Sequence, residues 1–306
     1  MLTDPFTTED GDVILRAGPD DTFRVHKLVL SLASTVFKDL FRTAQPDQPD
    51  RGQNGLPTIP ITDPPESVDL LLRFIYPGVV PPTITDPARL STLLGIADKY
   101  GVPTVLPVAK ERLADEKTLE GDPFGVYIVA RRWGFSGVAK KAARGLTLPK
   151  VMASPSSKDP QNFAGDDFFR LVWFMQKRGE EGKRRIRNHF VWSATDPRLD
   201  DIPCGYETHS GVKAMDFFDQ LAERIVDGFE VDPCLDTERM VKIFANGPDP
   251  PSDGFCRNTD PDQEDLYPFC PTQPSGMMRS VCNLALLLDH SCRELLGRAM
   301  DGNFPA

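Results

Sequence analysis

Histidine and cysteine are the side chains that most often hold metals or move protons near neutral pH. This chain carries four His and six Cys in 306 residues. His26 sits alone in the stretch FRVHKLVLSLASTVFKDLF, where strand-like alternation gives way to helical spacing. A general base needs a nucleophile or carboxylate within hydrogen-bond reach, and a metal histidine needs further ligands at tight spacing. The nearest ligand types along the chain are Asp20 and Asp21, across a turn. His26 is therefore expected to be a structural joint, a buried imidazole bonding backbone groups where the strand passes into the helix.

The cysteines, at positions 204, 234, 256, 270, 282 and 292, all lie in the C-terminal third and form no Cys-x-x-Cys pair. Cys204 with His209, Cys256 with Cys270 and His290 with Cys292 offer donor types for zinc, but at loose spacing. Reduced thiols acting as small buried hydrophobes are the expectation. A glycine-rich phosphate loop, Gly-x-Ser-x-Gly and His-Glu-x-x-His are absent. GFSG at 134–137 has the wrong spacing, and Gly182-Lys183 lacks the upstream glycine and the following Ser or Thr. No catalytic, cofactor-binding or metal-binding residue is assigned. The chain reads as a non-enzyme, with a catalytic centre hidden in 150–306 as the weaker alternative.

The formal net charge of −10 repels phosphate backbones and disfavours direct nucleic-acid contact. The one dense cationic run, KRGEEGKRRIRNHF at 177–190, reads either as an import signal or as a solvated helix end or loop balancing nearby acids. The interrupting Glu180 and Glu181 favour the second. The acidic N-terminus lacks the basic start and apolar run of a signal peptide, and no apolar stretch approaches the ~18 residues of a membrane helix. The expected setting is cytoplasmic or nuclear, without a membrane partner.

The elements that must position these residues follow from periodicity. GDVILRA and TFRVHK alternate and flank the turn at 18–21, giving a hairpin over 12–27. From Leu28 the period becomes helical, with Leu28, Leu32 and Thr35 or Val36 on one apolar face, and Phe37, Leu40 and Phe41 continuing after a break at Ser34, a natural N-cap. Residues 43–57 read as a surface loop. LPTIPI reads as an edge strand restricted by Pro57 and Pro60. Helices follow at DPPESVDLLLRFIY, whose proline pair sits near the start, on either side of Gly101-Val102-Pro103, and on either side of Gly134. The turns ADKYG and RRWGF resemble each other. Beyond them come a polar loop over 150–166, helices at 166–178, 211–229 and 234–245, a Pro/Asp/Gly-rich loop at 246–276, and one or two closing helices over 277–300. Phe168, Phe169, Trp173 and Phe174 are expected in the core.

This order, with Asp12-Val13, FRVHK, LSLAS-x-x-F-x-x-LF and ADKYGV, resembles the BTB/POZ domain, and DPFGVYIVARRWGF resembles the helical continuation of many fungal BTB proteins. The resemblance implies an α+β fold, a small sheet with helical hairpins, followed by a mostly α-helical region. The implied divisions are a tail over 1–9, the BTB/POZ domain over 10–116, a helical extension over 117–149 and the C-terminal region over 150–306. Fold-signature residues are Asp12, His26, Lys27, Ser34, Phe37, Asp98 and Tyr100. The second helix of the hairpin lies beside a partner groove in this family, so Lys38, Asp39 and Phe41 are candidate partner-binding residues.

The resemblance implies protein partners, through an adaptor or scaffold role. A cullin is one such partner, but 42–57 contains no glutamate for the hydrophobic-x-Glu feature of many cullin-binding members. The alternative is a nuclear transcription or chromatin regulator without direct DNA contact. A swapped dimer is disfavoured, because only about ten residues precede Asp12.

Overall fold

The alternation around Ile14 forms β1 (Val13–Arg16), which pairs antiparallel with β2 (Thr22–Val25). Val13 lies opposite Val25, and Leu15 opposite Phe23. All four are buried, so one face of the hairpin is apolar throughout. β3 (Thr58–Pro60) pairs with β1 in parallel, giving a three-stranded sheet in the order β2-β1-β3. A parallel neighbour needs a long crossover, and here it begins with α1 (Lys27–Ala33) and α2 (Thr35–Thr43). β3 is an edge strand, where Pro60 costs no ladder hydrogen bond. The computed structural model describes residues 5–7, 10–43, 55–158, 164–195, 211–231, 237–245 and 274–301. Most of the 43–57 and 246–276 loops, and Cys204, His209, Cys234, Cys256 and Cys270, lie outside them, as does the side chain of Cys282.

The chain forms two compact units, 1–139 and 140–306. In the first, α3 (Pro65–Ile75), α4 (Pro87–Lys99) and α5 (Val105–Ala114) bury Val68, Leu71, Leu72, Leu90, Leu94 and Leu113. Pro107 falls in the first turn of α5, where a missing N–H breaks no helical bond. α6 (Glu116–Gly121) leads to α7 (Pro123–Arg132), in which every residue from Phe124 to Ala130 is buried. α7 packs on α4, so this part of the segment read from the sequence as an extension shares the core of the first unit, whereas 140–149 fall in the second. Phe6, within the span read as a tail, is 1% exposed, and its carbonyl accepts from Arg24 N–H at 2.7 Å on the outer edge of β2.

ADKYG and RRWGF end their helices the same way. Gly101 and Gly134 stand at φ +60° and +71°. Beyond them, Val102 N–H reaches back to Ala97 C=O and Phe135 N–H to Ala130 C=O, each at 2.8 Å. These are paired Schellman stops, whose left-handed residue favours glycine. They differ in surroundings. A Cβ on Gly101 would lie 2.5 Å from Thr35 Oγ1, whereas one on Gly134 meets nothing within 4 Å.

α8 (Ser136–Arg144) crosses the division between the units. The polar loop expected over 150–166 instead contains α9 (Leu148–Ala153) and a 3-10 turn at Pro155–Lys158, because Pro149 sits in a first turn where it is tolerated. In the second unit, α10 (Gly165–Thr195) runs far beyond the predicted 166–178, carrying the basic run inside one helix. It packs on α11 (Gly211–Val231) and α13 (Pro274–Asp301), a single closing helix, and α13 packs on α12 (Thr237–Ala245). Ile186, Leu221, Ile225, Phe229, Met240, Leu284 and Leu288 form the core of this bundle. Of the predicted core aromatics only Phe174 is fully buried. Phe168 and Trp173 are half-buried and Phe169 is 62% exposed, since Phe168 and Phe169 project about 100° apart around the helix.

Two substitutions test this packing. Gly182 lets α10 approach α11 so closely that a Cβ would lie 2.3 Å from the Phe229 ring. Gly182→Ala should therefore lower unfolding stability by about 1–3 kcal/mol, read in urea melts. Gly134→Ala should cost about 1–2 kcal/mol for its left-handed backbone alone. Gly101→Ala should cost clearly more, because the clash with Thr35 is added. Equal losses at the two turns would contradict the geometry.

Candidate protein-interaction site

The first turn of α1 is fixed by Asp12, whose Oδ1 accepts the Lys27 N–H at 2.8 Å. His26 precedes that turn. Its carbonyl accepts from Leu30 N–H, and its own N–H donates to Tyr76 Oη at 2.6 Å. The ring is half-buried, with Nδ1 3.3 Å from the same Tyr76 oxygen and Nε2 3.5 Å from Asp10 Oδ2. His26 thus joins strand to helix, but its imidazole is neither fully buried nor bonded to backbone groups. Its acidic neighbour is Asp10, not Asp20 or Asp21, because pairing of β1 with β2 brings the start of β1 beside the end of β2. Burial, and to a lesser extent the charges of Asp12 and Asp10, raise the Tyr76 pKa even though the His26 N–H opposes it, so the phenol stays protonated near neutral pH.

At the break between the two helices, the Ser34 hydroxyl accepts the Phe37 N–H at 2.9 Å and donates to the Tyr100 carbonyl. It satisfies one donor at the start of α2 and one acceptor at the end of α4. The Phe37 and Tyr100 rings stack beside it, centroids 4.8 Å apart and 7° from parallel. Tyr100 Oη donates to Asp63 Oδ2 at 2.6 Å, and Lys99 Nζ reaches the same oxygen at 2.6 Å. Burial pushes the Asp63 carboxyl upward, but the bonds from Lys99 and Tyr100 outweigh it and hold its pKa below the ordinary value. Burial and the facing Asp63 carboxylate raise the Tyr100 pKa. Asp98 is exposed, and its backbone carbonyl accepts from Gly101 N–H at 3.0 Å. The side chains of Asp12, His26, Ser34, Phe37 and Tyr100 build the joint between sheet, α1–α2 hairpin and α4, and Lys27 joins it through its backbone N–H.

That joint sets which side of the hairpin faces out. Leu30 and Phe37 point inward and are buried. Leu28 and Leu32, read from the sequence as an apolar stripe, are 70% and 81% exposed, and Val36 beyond them is 39% exposed. Lys38 and Asp39 are exposed, with Asp39 paired to Arg42 at 3.1 Å. Phe41 is half-buried, its ring 6.0 Å from Phe37. The outer hairpin surface is therefore an apolar strip beside mixed charges, a combination suited to protein contact. The sequence marked the strip as a helical face but carried no sign of its direction.

In the second unit, the basic run is neutralised along α10. Lys177 pairs with Glu180 at 2.9 Å, Arg184 and Arg185 both with Glu181 at 2.7 Å, and Arg187 with Glu223 at 3.0 Å. Lys183 pairs with Glu230. Arg178 is buried and donates to the carbonyls of Arg144, at the end of α8, and Leu146 just beyond it. Among the described residues, no three His, Cys, Asp or Glu side chains cluster to hold a metal, and no helix is long and apolar enough to cross a membrane. Cys292 is buried, and burial raises its pKa despite nearby Arg178 and Arg144.

The Asp63 network gives a pH-dependent prediction. A carboxylate whose pKa is lowered on folding contributes stability that is present above its unfolded value, near 3.8, and is lost as pH falls through the lower folded value. Asp63→Asn should cost about 1–3 kcal/mol at pH 7. The difference from the unsubstituted protein should shrink as pH falls below about 4. Denaturant melts between pH 3 and pH 7 measure both.

A family model for the BTB/POZ domain matches residues 6–117. None of the curated proteins compared matches the chain. The matched span holds the three-stranded sheet, the α1–α2 hairpin and α3 to α5, and it begins at Phe6, the buried residue against β2. The chain therefore carries a BTB/POZ domain, a protein–protein interaction module, followed by a mostly helical region.

Proposed function

We propose that the chain is an adaptor or scaffold that recruits a protein partner through the outer surface of α1 and α2. The observation that carries this reading is the exposed strip of Leu28, Leu32 and Val36 on a hairpin fixed from behind by Ser34, Phe37 and Tyr100. Lys38, Asp39 and Phe41 extend it along α2. Burying two exposed leucines supplies on the order of 1.5–3 kcal/mol each, and the flanking charges supply orientation and partner choice. The adaptor acts in the cytoplasm or the nucleus.

A cullin is the specific partner to test within this reading, against the absence of glutamate from 42–57. The nuclear-regulator alternative draws on the basic run, whose cations are paired with glutamates or buried along α10. That pairing supports the adaptor reading over it.

Affinity capture of the full chain, followed by mass spectrometry, tests the proposal. Leu28→Asp with Leu32→Asp should abolish capture of partners held by the wild-type protein and leave the melting temperature nearly unchanged, since both side chains lie in solvent. Retention of every partner by the double variant would overturn the assignment of this surface. Absence of a cullin from the wild-type capture would remove that specific version.

A further inference from the structure

Between Asp122 and Asp159 the sequence carries seven lysines and arginines and no acid, although the whole chain has a net charge of −10. Unlike the run on α10, this stretch contains no glutamate of its own to neutralise it. Four of its cations, Lys140, Lys141, Arg144 and Lys150, lie on α8 and α9 within the second unit. Lys140 and Lys141 each fall about one turn before Arg144, a like-charge spacing that disfavours a helix. Lys150 Nζ donates to the Gly145 carbonyl at 3.0 Å, which brings a further cation to the end of α8, one turn beyond Lys141.

The negative end of a helix dipole ordinarily accounts for such cations. Here that end is already served from inside, because the buried Arg178 donates to the carbonyls of Arg144 and Leu146. Arg144 is taken by Asp289. Lys140 and Lys150 pair with no acid among the described residues. Positive charge is thus gathered at the end of α8 beyond what the helix requires.

α9 adds apolar surface to it. Leu148 and Met152 are 54% and 69% exposed, and their i,i+4 spacing makes them neighbours on one face. Val151 is the buried side chain of α9, while Pro149, Lys150 and Ala153 also meet solvent. Two protruding apolar side chains beside lysines complement a ligand with the inverse pattern, carboxylates next to an apolar side chain. An anionic lipid surface carries both features, but it is broad and repels an acidic protein outside the patch, and two apolar side chains give it little to hold. A peptide touches the patch alone.

We infer that the end of α8 and α9 dock an acidic peptide segment of a protein partner, with its carboxylates on Lys140, Lys141 and Lys150 and an apolar side chain between Leu148 and Met152. The site uses no residue of the α1–α2 hairpin, so it stands or falls separately from the surface proposed there.

Fluorescence anisotropy on the full chain tests the site, with a short fluorescein-labelled peptide of alternating glutamate and leucine as the probe. Saturable binding that weakens as salt rises is expected. Lys141→Gln with Lys150→Gln should weaken it roughly tenfold, and so should Leu148→Ser with Met152→Ser. All four side chains are exposed, so the melting temperature of each variant should stay near that of the unsubstituted chain. The apolar pair leaves every lysine in place, and it keeps the test valid if the lysine pair loosens the contact with Gly145. No saturable binding, unchanged affinity in either variant, or equal binding of a glutamate–serine peptide would overturn the inference. So would capture of phosphatidylserine vesicles in place of the peptide, which assigns the surface to a membrane, or lysine-dependent self-association in light scattering, which assigns it to a second copy.

Discussion

A single hydroxyl holds the α1–α2 hairpin in place. Ser34 lies where α1 ends and α2 begins, accepts the Phe37 N–H and donates to the carbonyl of Tyr100 at the end of α4. Each of those backbone groups would otherwise be buried without a partner, at a cost of roughly 1–3 kcal/mol apiece. The bond also brings the Phe37 and Tyr100 rings into register and places Gly101 against Thr35. The hairpin is then held at both ends, by Asp12 at the start of α1 and by Ser34 at the start of α2. With its inward face committed to Leu30 and Phe37, the opposite face has to be the apolar one that meets solvent.

Much of this was legible in the sequence, for identifiable reasons. The β1–β2 hairpin follows from alternation around a turn cluster, and the edge position of β3 from Pro57 and Pro60. The likeness of ADKYG to RRWGF became a shared helix stop because both put glycine where the backbone must be left-handed. Ser34 was recognisable as a cap because a small hydroxyl preceded an apolar helical run. Its second bond, to a carbonyl 66 residues away, had no local signature.

What the sequence left open was direction. Leu28, Leu32 and Val36 repeat with helical spacing whether they face the core or water, and only the position of the sheet decides between them. The same ambiguity explains Phe169, which shares an aromatic run with the buried Phe174 yet points outward. His26 misled in a smaller way, because its partners Tyr76 and Asp10 are brought to it by folding: one is 50 residues distant, and the other lies across the β1–β2 pairing. The basic run reads as balanced by nearby acids, and Glu180 and Glu181 within it do pair with its cations, but the further partners Glu223 and Glu230 lie on another helix and had no local signature. Helical extent was the other weak point: α10 continues through charged residues that periodicity alone reads as an end, because i,i+3 and i,i+4 ion pairs support it.

The account centres on the outer face of α1 as the place where a partner binds. Carbene footprinting of the full chain, free and in complex with its captured partners, reads that face directly at the level of side chains. Heavy labelling of Leu28 and Leu32 in the free protein, falling sharply in the complex while Leu30 stays unlabelled in both, is the predicted result. Equal labelling of Leu28 and Leu32 in the two states would contradict it.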